Sequence, residues 1–419
     1  MAVSRFCCNF VAMNQATREF IREHAGEDVR QLALRGTKDP EVDLTFALEQ
    51  IAGRQKARTK LPSWAAIDGI VYPPHLPMEQ CSSEQTARYK AGIAGRGALV
   101  VDLTAGFGVD LASVSQGFQR AVHVELQPQL CAISSENYGL LGLHHIEVIC
   151  GDGIDYLHQL DHADLIFIDP ARRNEHGGRT YGIADCTPNV LELMDELTAK
   201  GDRVMIKLSP MLDWRKAVAD IGCVSEVHIV SVDNECKELL VLVEGKRWKV
   251  EGDYSVHCVN LLPDGTAQQF SFHLPLSTFR LPPSALHLPP STFHLPPSTL
   301  CEPNASIMKA GCFDLLAERF GIQQLDKNSH LFVSGAPVSD FPGRQFTIIT
   351  TTSMNKRELK EAMQGIGRAN IAVRNFPLSV ADLRRRLKLY DGGDIFIFAT
   401  TVTGMGHRLL ICRKDTKNL

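Results

Sequence analysis

Apolar positions along this chain follow two rhythms, and their alternation predicts the architecture. Four short, largely apolar runs each end in an acid. Residues 99–101 precede Asp102, residues 122–124 precede Glu125, residues 146–150 precede Gly151-Asp152, and residues 165–168 precede Asp169-Pro170. Runs of this length suit strands buried on both faces of a parallel sheet. A fifth run covers residues 203–208, a sixth lies near 227–232 and a seventh near 239–243. Between them the spacing lengthens to that of helices, as in residues 190–194. Strand alternating with helix requires a mostly parallel sheet with crossover connections. Only Asn234-Glu235-Cys236-Lys237 separates the last two runs, so they form a hairpin and the seventh strand is antiparallel.

Upstream, residues 13 to about 60 have helical period. Ala16, Phe20, Ile21, Val29, Leu32 and Ala33 form one stripe, Asp39-Pro40 interrupts it, and Leu44, Ala47, Leu48 and Ile51 resume it. The basic run Arg54, Lys56, Arg58, Lys60 beside Trp64 reads either as a solvated helix end or as phosphate contacts with a stacking ring. Three prolines predict extended chain over residues 72–77. Ser82-Ser83-Glu84-Gln85 then opens a helix through Ala94.

Downstream, a strand pair at 254–260 and 267–272 turns at Pro263-Asp264-Gly265. Residues 274–300 repeat a Leu-Pro-Pro-Ser-like unit every seven residues. Paired prolines bar a coiled coil there and predict a polyproline-like or disordered insert. From Glu302-Pro303-Asn304 the pattern is α+β. A helix with Ile307, Ala310, Phe313 and Leu316 on one face is followed by a strand at 346–350, a helix at 356–363 and a strand at 371–373. A helix at 380–389 carries Arg384-Arg385-Arg386, and a final pair covers 395–399 and 408–411.

At 419 residues the chain has room for two or three domains, and 44% hydrophobic with 22% charged content is that of a soluble protein. Twelve cysteines without a C-x-x-C pair indicate neither a zinc site nor a disulfide framework, and fit a reducing cytoplasm. No run reaches membrane-spanning length. The first twelve residues are too poorly patterned for a secretory signal, so an upstream start codon or a tag is expected before Met13. Charge is unevenly spread. From Arg344 onward there are fourteen Lys and Arg against six Asp and Glu, although the whole chain has 44 against 48. A basic end on an acidic body reads either as the site of a polyanionic partner or as a solvated surface with none.

The chemistry centres on residues 102–110. Glycines at 106 and 108 sit where an open α/β sheet receives its ligand, at the carboxyl edge of the first strand. A dinucleotide fingerprint is excluded because Leu111 occupies its third glycine position. Glu125 is placed to accept from ribose hydroxyls, and Asp152 from an adenine amino group.

This ordered series resembles class I S-adenosylmethionine-dependent methyltransferases: the loop from Asp102 to Asp110, then Glu125, Asp152 and the Asp-Pro-x-Arg box at 169–172. Residues 53–57, 60–64, 79–84 and 302–304 are similar to a narrower bacterial group with a C-terminal THUMP-like domain. The resemblance implies an α/β fold: a Rossmann-like seven-stranded sheet, an N-terminal helical region and a C-terminal α+β THUMP-like domain. The boundaries expected are 13–90 (helical region), 91–245 (methyltransferase domain), 246–301 (hairpin plus repeat insert) and 302–419 (basic THUMP-like domain).

The resemblance further implies S-adenosyl-L-methionine as cofactor. Its expected contacts are Asp102, Thr104, Ala105, Gly106, Gly108, Asp110, Glu125, Leu126, Asp152, Gly153 and Asp169, with Gln80, Ser82 and Thr86 as additional candidates. Asp169 and Arg172 are the expected catalytic residues: Asp169 steers the acceptor, and Arg172 or Arg173 grips a phosphate or else pairs structurally with an acid. Lys207-Leu208-Ser209-Pro210 completes the pocket wall. Covalent uracil chemistry is disfavoured, because Ser209 stands where that group of RNA methyltransferases needs a cysteine. The implied partner is RNA, bound through the basic end. Two alternatives stay open: a non-catalytic RNA-binding protein that kept the fold, and a methyltransferase of a non-RNA substrate.

Overall fold

The computed structural model of the protein describes residues 13–172, 182–245, 253–275 and 299–414. The expectations for residues 1–12, for Arg173, for the Arg172 side chain and for the body of the heptad repeat lie outside the described residues. The described chain divides into two units. One holds the residues before 229 together with 237–245, 253–256 and 273–275, and the other holds 229–236, 257–272 and 299–414. Among the described residues no helix is long and apolar enough to cross a membrane, and the cysteines are free thiols.

The apolar runs are the strands β1 (Gly97–Asp102), β2 (Phe118–Glu125), β3 (Ile146–Cys150), β4 (Ala163–Ile168), β5 (Gly201–Leu208), β6 (Glu226–Val232) and β7 (Glu235–Glu244). They continue into β8 (Asp253–Leu261) and β9 (Ala267–Pro275), and the order across the sheet is β9-β8-β6-β7-β5-β4-β1-β2-β3. β1 pairs in parallel with β2 and β4, β2 with β3, and β4 with β5. β7 runs antiparallel to β5, as the short connection after β6 requires. Val100, Val101, Ile166, Ile168, Val204, Met205 and Ile206 lose all contact with water, each burial contributing about 1.5–3 kcal/mol.

Several expectations need correction. The prolines of residues 72–77 do not keep that whole stretch extended, since a helix begins at His75 and runs to Gln80 with Pro77 inside it. Pro77 is the third helical residue, where a backbone N–H has no intrahelical acceptor, so losing it costs nothing. Residues 71 and 72 lie outside helix and strand, with their buried backbone groups paired to side-chain amides: Val71 to Asn137 and Tyr72 to Gln50. Gly53 lies mid-helix beneath Tyr72, and a Cβ there would sit 2.3 Å from Tyr72 Cβ.

Trp64 is not a free stacking ring. It is buried and packs on Phe107, with ring centroids 5.1 Å apart. Three of the neighbouring cations are also engaged within the chain. Arg54 pairs with Asp68 and Lys56 with Glu79, while Lys60 donates to the carbonyls of Met78 and Glu79 at the end of the helix His75–Gln80.

The second unit carries a seven-stranded sheet built from β10 (Thr299–Pro303), β11 (Gln323–Gln324), β12 (Phe332–Ser334), β13 (Gly343–Thr352), β14 (Asn370–Arg374), β15 (Ile395–Val402) and β16 (Gly406–Lys414). Its order is β11-β12-β10-β13-β16-β15-β14. The single helix expected after Glu302 is two, Ala305–Ala310 and Phe313–Phe320, because Gly311 takes φ 66° and closes the first. Along β16, Leu409 and Ile411 enter one core and Leu410 and Cys412 another, the period of two that a sheet covered on both faces demands.

Candidate active site

β1 delivers Asp102 to the carboxyl edge of the sheet, where the chain turns through two glycines into the helix Val109–Val114. Gly106 and Gly108 take φ 56° and 80°. Space as well as conformation requires glycine at 108, where a Cβ would lie 2.1 Å from the Tyr138 hydroxyl. That hydroxyl donates to Gly108 O (3.2 Å) and therefore accepts from His123 Nδ1 (2.8 Å). His123 has no exposure, and burial holds its imidazole down to about 3, so it stands neutral beneath the loop.

The acids at the strand ends fall into two groups. Glu125 and Asp152 line the β2–β3 side of the loop. Glu125 accepts from Gly106 N (3.0 Å) and Gln127 N (2.8 Å), which fixes its carboxylate against the glycine turn. Its backbone also receives Gly151 N at 3.0 Å, which brings the start of the Asp152 turn alongside. Asp152 is exposed and caps the helix Gly153–Gln159 through Ile154 N (2.7 Å). Leu126 stands 67% exposed between these acids in sequence, an apolar side chain presented at the edge of the sheet.

Asp102, Asp110 and Asp169 form the other group. Asp102 is buried and accepts from Thr104 N (3.0 Å), while Thr104 Oγ1 accepts from Asp169 N (2.7 Å). Burial raises the Asp102 carboxyl well above the usual range, and the charges of Asp110 and Asp169 push the same way. Asp110 turns away from the glycines into an interior cluster. It accepts from Ser82 Oγ (2.8 Å), and faces Lys90 Nζ at 3.1 Å and Lys207 Nζ at 3.5 Å. Burial alone would raise its carboxyl, but the two ammonium groups outweigh that and hold it below its ordinary value.

Lys207, at the end of β5, reaches Asp169 Oδ2 at 2.5 Å. Burial opposes its charge, yet Asp169, Asp110 and Glu238 together carry its ammonium well above its ordinary value, so it is a permanent donor. Lys90 is wholly buried and meets both Glu238 oxygens at 2.7 and 2.6 Å, with Ser82 Oγ at 3.2 Å. The Asp169 side chain keeps 37% of its surface exposed, so one face of a carboxylate anchored from behind is open at the sheet edge.

Of the additional candidates, Ser82 is spent on Asp110 and Lys90, Thr86 bonds Ser83 at the helix cap, and Gln80 is exposed. The backbone of Ala171-Arg172 pairs with Cys186-Thr187 in a two-residue ladder just past Asp169. Lys90 and Glu238 escaped the sequence reading. The available signal was spacing, since Lys90 falls on the helical face of Ala87 and Ala94, both buried.

A family model described as THUMP domain-like matches residues 343–414, and one described as a ferredoxin-like domain matches residues 300–342. Both fall on one sheet, because β10 of the first segment pairs along its length with β13 of the second. Two uncharacterized S-adenosylmethionine-dependent methyltransferases of Mycobacterium tuberculosis, from strains CDC 1551 and H37Rv, are 25% identical over 328 residues. That stretch is 78% of this chain and 83% of each relative. The crystal structure of a proposed methyltransferase from Porphyromonas gingivalis W83 superposes with a TM-score of 0.80 at 31% identity, covering 95% of this chain and 97% of that one. Likeness of that extent, with the module matched at the C-terminal end, makes this protein a class I S-adenosylmethionine-dependent methyltransferase with a THUMP-like domain.

Proposed function

We propose that the enzyme methylates RNA and that Asp169 steers the acceptor atom. The observation carrying the catalytic half is the half-exposed Asp169 carboxylate, held by Lys207 at 2.5 Å and by Thr104 through its backbone. One oxygen is occupied by the ammonium, and the other is free to accept a hydrogen bond from an amine or hydroxyl, or its proton. S-adenosylmethionine supplies a methyl group on a sulfonium, open to in-line displacement. The chain's task is to align donor and acceptor and to keep water out.

In this reading Glu125 accepts from the ribose hydroxyls, Asp152 from the adenine amino group, and Leu126 covers the adenine face. Thr104, Ala105, Gly106 and Gly108 give their backbone to the methionine end, with Gly153 beside them. Asp102 and Asp110 act from underneath, through Thr104 and Lys207. Arg172 supplies a guanidinium for a phosphate next to the target nucleotide. The RNA half is supported by the excess of fourteen basic over six acidic residues from Arg344 onward, on a THUMP-like module, since phosphate neutralisation dominates affinity for nucleic acid.

Mass spectrometry of RNA nucleosides from wild-type and deletion cells tests this directly. One methylated nucleoside should disappear in the deletion, return with the wild-type gene and stay absent with Asp169→Asn. Identical nucleoside profiles in the two strains, with methyl transfer to a protein or small-molecule pool instead, would overturn the assignment to RNA.

A further inference from the structure

The THUMP-like domain holds one aromatic ring out to solvent. Tyr390 is 73% exposed, the only aromatic among the strongly exposed large apolar side chains of the described residues. Its backbone is fixed: Tyr390 N donates to Gly367 O and its carbonyl accepts from Ala369 N, both at 3.0 Å. These bonds form a parallel bridge that sets Tyr390 opposite Arg368. Bridge partners project to the same side of a ladder. Their neighbours Ala369 and Leu389 take the other side and are buried, so Arg368 and Tyr390 stand next to each other facing water. Gly392 and Gly393, at φ 89° and 85°, then lead the chain away without adding side chains beside the ring.

Charge around the ring is sorted. Arg384 neutralises Asp391 at 2.5 Å, and Arg385 pairs with Asp382. Arg368, Arg386 and Lys388 are exposed and make no side-chain pair among the described residues, against one exposed acid left on this edge, Asp394. A flat ring and a guanidinium on a rigid support, with exposed cations two and four positions before the ring in sequence, are the components of a stacking site for a base with adjoining phosphates. A duplex hides its base faces and can use only the cations.

We propose that Arg368 and Tyr390 clamp one unpaired base of RNA while Arg386 and Lys388 hold the adjoining phosphates. This rests on the RNA reading above and specifies it: the domain recognises a single-stranded or looped segment, at a site of its own. The test is fluorescence anisotropy of the full chain with a short unstructured RNA and with a blunt duplex of the same sequence, over a salt series. Tyr390→Ala should weaken single-strand binding about tenfold or more and duplex binding less than about twofold, while Tyr390→Trp retains both. Arg386→Ala with Lys388→Ala should weaken both ligands and flatten the salt slope. S-adenosylhomocysteine affinity should stay unchanged in every variant, showing an intact methyltransferase unit, and the retained duplex binding of Tyr390→Ala shows an intact THUMP-like domain. Wild-type binding with no loss in Tyr390→Ala would overturn the clamp alone, whereas wild-type protein that binds neither RNA would overturn the clamp and the RNA reading together.

Discussion

Nζ of Lys207 lies 2.5 Å from Oδ2 of Asp169, and the same ammonium faces Asp110 at 3.5 Å. One cation at the end of β5 thus holds both the acid beside the open sheet edge and the acid at the start of the helix after the glycine turn. Lys207→Met leaves both carboxylates without it. Asp169 is part-exposed and Asp110 keeps Lys90, so the loss should fall below the cost of about 3–5 kcal/mol for a fully buried pair broken from one side, and should appear as a lower denaturation midpoint in urea.

Asp169→Asn separates chemistry from folding. An amide keeps the shape of the carboxylate and can still approach Lys207 through its oxygen, but it has no charge and no proton-accepting capacity. Methyl transfer should fall by about a hundredfold or more. Calorimetric affinity for S-adenosylhomocysteine should change little, and a parallel collapse of that affinity would assign Asp169 to the cofactor instead.

Gly108→Ala tests the turn itself. The new methyl group meets the Tyr138 hydroxyl at 2.1 Å on a backbone at φ 80°, so the loop or the His123–Tyr138–Gly108 chain has to move. The expected outcome is loss of S-adenosylhomocysteine binding in calorimetry, with a melting temperature lowered by several degrees.

His123 sets a pH dependence whose sign is fixed by its burial. Folded, it takes up a proton only near pH 3, while in the unfolded chain it does so near 6.5. Between those values the unfolded state binds the extra proton. Stability is therefore fully present above about 6.5 and declines as the pH falls, by up to about 1.4 kcal/mol per pH unit from this one group. His123→Gln removes the titration. Its melting temperature should change less steeply than that of the wild type from pH 6.5 to 4.5, even if it starts lower.

Glu125→Gln addresses the cofactor assignment. Its carboxylate is held by Gly106 N and Gln127 N, and it is read as the acceptor for two ribose hydroxyls. The amide offers one accepting oxygen instead of two, and S-adenosylhomocysteine should bind roughly tenfold more weakly in calorimetry.

The strand-end acids were legible because buried parallel strands leave an unmistakable trace, an apolar run closed by a polar residue at the edge. Asp102, Glu125, Asp152 and Asp169 are all found at such ends. The interior ion cluster was not, since Lys90 and Glu238 are 148 positions apart and only the fold brings them to 2.6 Å. Proline and glycine misled where position within a helix decides their effect: Pro77 is harmless in a first turn, and Gly311 ends what its flanking stripe would continue. Trp64 illustrates a third limit, because sequence gives no account of which side of a basic segment packs inward.

The helix Glu84–Ala94 precedes β1, yet its Lys90 neutralises Glu238 on β7 and Asp110 beyond the glycine turn. A version of this enzyme trimmed to begin at the first strand would lose that ammonium, leaving Glu238 without its ion pair and Asp110 with Lys207 alone. Such a fragment should be less stable than one that starts upstream of Ser82.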